Sequence, residues 1–136
     1  MRELTTEAIT ENLQSVMDFV NDSLSDKGCS AKTLYQMELV LEEIFINIAS
    51  YAYEGDERPV VLSIDFEEDP LAAIVTFKDK GAPYNPLNRD DPNLALKLEN
   101  REIGGLGIFL VKKNVDAIWY EHVNGENVLS FRKILR

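Results

Sequence analysis

Apolar residues recur at three- and four-residue spacing from Thr6 to about Lys27, at Ile9, Leu13, Val16, Val20 and Leu24, which predicts an amphipathic helix ended by Gly28. Ser30 is placed to cap a second helix running to about Tyr53. Its inward stripe is Leu34, Met37, Leu41, Ile44 and Ile48, and Glu54-Gly55-Asp56 breaks it. The period then changes. Val60 to Phe66 and Leu71 to Phe77 are rich in Val, Ile and Phe, and the short Glu67-Glu68-Asp69-Pro70 link predicts an antiparallel hairpin. From 80 to 103, Gly81, Pro83, Pro86 and Pro92 interrupt any long regular element, with one helical turn expected around Leu94 to Leu98. A connection of that length inside a compact domain predicts a lid or binding loop. A third helix starts at Gly104-Gly105-Leu106-Gly107 and carries Ile108, Leu110, Val111 and Val115. Ala117 to Val123 and Val128 to Leu135 then form two strands turned by Asn124-Gly125.

This order predicts an α+β fold, a two-layer α/β sandwich with three main helices on one face of a mostly antiparallel, mixed sheet. At 136 residues and 45% hydrophobic, the chain is read as one domain, 1–136, able to bury a core without disulfides or structural metal. Cys29 is the only cysteine and His122 the only histidine, which excludes an intrachain disulfide and a zinc site of the usual composition. The formal charge of −10 argues against nucleic acid, whose phosphates reward clustered Lys and Arg, and favours a protein partner or a small ligand. No apolar run approaches the roughly 20 residues that cross a bilayer, and Met1-Arg2-Glu3-Leu4 lacks the layout of a secretory signal. A cytoplasmic protein with no membrane association is expected.

Candidate chemistry lies at three places. Glu43 and Asn47 are four residues apart, so they share one face of an otherwise apolar helix, where an ionised carboxylate needs a polar partner. Asn47 offers an amide oxygen suited to Mg²⁺, and Glu43 can take a proton from an attacking hydroxyl. Asp79 falls where a strand enters a glycine turn, from which its carboxylate can accept a bond from the amino group of adenine. Gly104, Gly105 and Gly107 leave backbone N–H groups unobstructed at a helix start, where the dipole favours phosphate. Arg101, just before them, is a phosphate candidate. Lys112 and Lys113 read as a solvated face, Cys29 as a bystander thiol, His122 as structural, and Trp119, Tyr120 and Phe131 as strand packing.

Glu43-Ile44-Phe45-Ile46-Asn47, Asp79-Lys80-Gly81-Ala82-Pro83 and Gly104-Gly105-Leu106-Gly107 resemble the asparagine box and the two glycine boxes of the Bergerat-fold (GHKL) ATPases. The small size and the Pro83-Tyr84-Asn85-Pro86 continuation are most similar to the stand-alone bacterial anti-sigma-factor serine/threonine kinases. The resemblance spans about residues 34 to 135. It implies ATP and Mg²⁺ held between helices and a lid, and phosphorylation of an anti-anti-sigma (STAS-type) partner whose release controls a sigma factor. By motif position, it implies Glu43 as base, Asn47 as Mg²⁺ ligand, Asp79 as adenine contact and Gly81 as a close backbone approach. Gly105, Leu106 and Gly107 would line the phosphates, and pairing of the chain with itself is implied as in relatives. Kinase relatives often have histidine where Tyr51 stands, and the wider superfamily often has glycine where Pro83 stands. Those two positions motivate the alternative, a non-catalytic nucleotide-binding anti-sigma or partner-switching module.

Overall fold

The computed structural model describes residues 1–51, 59–88 and 105–135. The chain opens with an edge strand, β1 (Arg2–Glu7), then a short 3₁₀ turn (Thr10–Asn12) and helix α1 (Leu13–Leu24). Helix α2 (Ala31–Tyr51) follows, then the hairpin β2 (Pro59–Glu67) and β3 (Ala72–Asp79), and a 3₁₀ turn (Pro86–Asn88). Helix α3 (Gly105–Asn114) and the hairpin β4 (Ala117–Val123) and β5 (Glu126–Ile134) complete it.

The five strands form one sheet in the order β1-β2-β3-β5-β4, and every neighbouring pair is antiparallel. The α+β sandwich is as expected, and among the described residues the sheet, expected to be mostly antiparallel, is antiparallel throughout. β1 is a correction, since a helix was expected from Thr6. Its burial alternates weakly, with Leu4 as its one large apolar residue, so the period-two signal is faint. Thr5 and Thr6 are β-branched and suit an extended edge paired to Val61 and Val60. Helix α1 then begins only at Leu13, and Ile9 is left 37% exposed instead of joining the helical stripe.

One face of the sheet carries the core. Val60, Leu62 and Ile64 of β2, Ala73, Val75 and Phe77 of β3, and Leu129 and Phe131 of β5 alternate inward, as period-two geometry requires. Val16, Val20 and Leu24 of α1, Met37, Leu41, Ile44, Phe45 and Ile48 of α2, and Val111 of α3 meet them there. The local signals explain the element ends. Ser30 Oγ accepts the Thr33 N–H at 3.1 Å, capping α2 as expected. Gly28 (φ +72°) turns the chain after α1, and Asn124 and Gly125 both have positive φ in the tight β4–β5 turn.

At the far end of α3, buried Lys133 of β5 donates to the Asn114 carbonyl at 2.6 Å and to Gln36 Oε1 at 3.0 Å. A cation at a helix C-terminus complements the dipole, and here it also ties α3 to α2 and the sheet. No described helix is long and apolar enough to cross a membrane. The expected turn at Leu94 to Leu98, the lid beyond Asn88, and the end of the second helix past Tyr51 lie outside the described residues.

Candidate functional site

A partly open pocket lies between α2, the chain following β3, and α3. Helix α2 contributes Ile44, Asn47 and Ile48, α3 contributes Ile108, and the strands contribute Asp79, Tyr120, Asn127 and Leu129. Ala82, Tyr84 and Pro86, from the start of the long connection, complete the wall. The surface is apolar apart from a small polar group at one end, an arrangement suited to a flat, mostly apolar ligand oriented by few hydrogen bonds.

Register builds the polar end. Asp79, the last residue of β3, lies opposite Asn127 of β5, and both side chains point to the helix face because Phe77 and Leu129 beside them do. Both are 5% exposed. Asp79 Oδ1 accepts from the Gly81 N–H at 2.9 Å and from Asn127 Nδ2 at 2.9 Å. The first of these bonds is an Asx turn, which carries the chain out of the strand. Its second oxygen, Oδ2, takes part in neither bond. Asn127 Nδ2 also donates to the Ala82 carbonyl at 3.0 Å, while its Oδ1 accepts from the Tyr84 N–H at 3.3 Å and from the Tyr120 hydroxyl.

The sequence-derived candidates divide. Asn47 and Asp79 both line this pocket, and the Gly81 N–H is bonded to Asp79 beside it. Glu43 lies one turn before Asn47 on α2 but is not among the lining residues. It is partly buried, and that burial, reinforced by the charge of adjacent Glu42, holds its carboxyl above the ordinary value. Gly105, Leu106 and Gly107 form the first turn of α3, which starts where the glycine cluster predicted. Gly104 and Arg101 lie outside the described residues, as does the side chain of Tyr51.

Two site residues escaped the sequence reading. Tyr120 was expected to be strand packing, and Asn127 was not singled out. The signal that could have found Asn127 is its place in the inward register with Leu129 and Phe131, since a buried amide must find partners. Trp119 was also expected to pack, yet it is 42% exposed on the sheet face away from the helices, and His122 is exposed on β4. Among the described residues no group of three or more His, Cys, Asp or Glu gathers as a metal cluster.

Residues 6–133 match the family described as histidine kinase-like ATPase domain. The chain belongs to that family. Serine/threonine-protein kinase BtrW of Bordetella bronchiseptica is 27% identical over 101 residues, covering 74% of this chain and 70% of that protein. Serine-protein kinase RsbW of Bacillus cereus is 25% identical over 111 residues, covering 80% of this chain and 69% of that protein. Among solved structures, the RsbU and RsbW domains of Rv1364c from Mycobacterium tuberculosis superpose with a TM-score of 0.69 at 13% identity. That likeness covers 99% of this chain but 33% of the longer one. The SiaB-SiaC complex from Pseudomonas aeruginosa contains a chain with a TM-score of 0.63 at 17% identity, covering 98% of this chain and 89% of that one. At such identities the structural likeness is one of fold, and the histidine kinase-like ATPase fold is the one this chain adopts.

Proposed function

We propose that this chain is an ATP-dependent protein serine/threonine kinase of the anti-sigma-factor type, which phosphorylates a STAS-type anti-anti-sigma partner in bacterial transcription regulation. The observation that carries the reading is the Asp79 carboxylate, pinned through one oxygen and set at the polar end of an apolar pocket that also holds Asn47 and abuts the glycine-led α3. The names of the relatives, BtrW and RsbW serine kinases, support it.

In this reading Asp79 Oδ2 accepts the exocyclic amino group of adenine, and Ile44, Ile48, Ile108 and Leu129 enclose the ring. The first turn of α3 meets the phosphates with backbone N–H groups and the positive end of its dipole. Lys133 at the other end of that helix favours the same polarity. Asn47 would give Mg²⁺ one amide oxygen, a hard ligand of the kind this cation prefers, and no carboxylate cluster competes for it among the described residues. Bound there, it would supply neutralisation of the triphosphate charge. Glu43, one turn away, takes the proton from the partner's serine or threonine hydroxyl, and its raised proton affinity suits a base. Catalysis consists mainly of positioning and charge stabilisation. The reading places the protein in the cytoplasm, where ATP and sigma factors are found, and it extends to capture of a sigma factor and to a homodimer.

Transfer of labelled phosphate from Mg-ATP to a STAS-type protein encoded beside this chain tests it. Glu43→Gln should lower transfer by about 10²- to 10⁴-fold, the usual worth of a general base, while leaving ATP binding in place. No transfer by the wild-type chain, with ATP binding intact, favours instead the non-catalytic partner-switching module, a reading consistent with Glu43 lying outside the pocket wall.

A further inference from the structure

Asn127 uses all of its hydrogen-bonding capacity on the pocket. A side-chain amide has two N–H donors and a carbonyl with two lone pairs. Here Nδ2 faces Asp79 Oδ1 at 2.9 Å, the Ala82 carbonyl at 3.0 Å and, more distantly, the Gly81 carbonyl at 3.4 Å. Its Oδ1 receives the Tyr84 N–H and the Tyr120 hydroxyl. Two donors aimed at one end, and a carboxylate with two carbonyls at the other, allow only one orientation of the amide. Asp79 Oδ1 is consequently saturated by Asn127 and the Gly81 N–H, and the carboxylate cannot turn without breaking both bonds.

We propose that Asn127, oriented by Tyr120, is a positioning residue that makes Asp79 a one-sided acceptor and so sets which purine the pocket takes. The inference rests on the nucleotide reading above. A base with an exocyclic amino group gives Oδ2 its missing donor. A base with a ring carbonyl in that place sets two acceptors face to face in a buried site, with no donor between them. Sites built this way discriminate strongly, because the refused ligand leaves buried polar groups unpaired. Removal of the amide frees the carboxylate to rotate and lets water reach Oδ1, which weakens the preferred base and relieves the penalty on the other.

ATP and inosine triphosphate differ in this respect, amino against carbonyl, and are the probes. Their Mg²⁺ complexes are titrated into the full chain and into Asn127→Ala, Asn127→Ser and Tyr120→Phe. The wild-type chain should prefer ATP by about a hundredfold or more. Asn127→Ala should lose roughly ten- to a hundredfold in ATP affinity with little change for inosine triphosphate, so the ratio collapses. Asn127→Ser keeps one hydroxyl donor and should recover part of the ratio. Tyr120→Phe should move it in the same direction as Asn127→Ala but less, since the Tyr84 N–H still holds the amide. A folded Asn127→Ala or Tyr120→Phe chain with the wild-type ratio overturns the proposal, as does Asn127→Ser behaving like Asn127→Ala. A wild-type chain that binds neither nucleotide overturns the nucleotide reading itself, and this inference with it.

Discussion

Glu43 holds its proton more tightly than an exposed glutamate does, because burial disfavours the carboxylate and Glu42 adds like-charge repulsion. A folded-state value above the ordinary 4.5 stabilises the protonated fold. That contribution is complete below the unfolded value and is lost as pH rises through the folded one. At neutral pH the wild-type chain thus carries a partly desolvated charge that glutamine lacks. Glu43→Gln should unfold at a higher urea concentration than wild type at pH 7, with the advantage shrinking to nothing below pH 4.5. Equal stability at pH 7, or an advantage undiminished at pH 4, would contradict the assigned environment. Asn47 and Asp79, which line the pocket, could be singled out in the sequence because helical spacing and a strand-to-glycine junction are local patterns, whereas Glu43, singled out on the same spacing, is not among the lining residues. Asn127 and Tyr120 were not legible there. The Asn127 bond to Asp79 joins residues 48 apart, and only the β3–β5 register makes them neighbours.

Helices α2 and α3 and the two hairpins were legible for the same reason, each being announced by its own period, cap or turn. The β4–β5 hairpin shows how local that information is. Gly125 has φ +79°, and a Cβ built on it meets nothing within 4 Å, so an alanine there strains the backbone without colliding. Gly125→Ala should cost about 1–2 kcal/mol in chemical denaturation, the penalty of a left-handed residue with a side chain. A change below a few tenths of a kcal/mol would mean that the turn relaxes into another conformation. β1 was illegible because an edge strand with one large apolar residue carries too little alternation to outweigh the helical spacing that begins nearby. Its place is set by pairing to β2, from Arg2 opposite Ile64 to Glu7 opposite Pro59. The sheet's purely antiparallel order is a tertiary outcome of the same kind, since β5 inserts between β3 and β4.

Across the whole molecule, a chain with a formal charge of −10 is read as holding a polyanionic ligand, so the favourable field must be local. The start of α3 and a divalent cation at Asn47 would supply it, while the apolar core of α1, α2 and the sheet, which shares Ile44, Ile48 and Leu129 with the pocket, backs the pocket wall. The sheet brings Asp79 and Asn127 together, α2 brings Asn47, and α3 contributes Ile108 to the wall. The site is thus a property of the assembled fold, with no single segment containing it. The most direct test is calorimetric titration of Mg²⁺ and a non-hydrolysable ATP analogue into the wild-type chain and into Asp79→Asn, which replaces one of the carboxylate oxygens by a donor. The account predicts saturable one-site binding by the wild-type chain and a loss of about tenfold or more in the variant. No heat of binding in the wild-type chain, or equal affinity in the two, would contradict it.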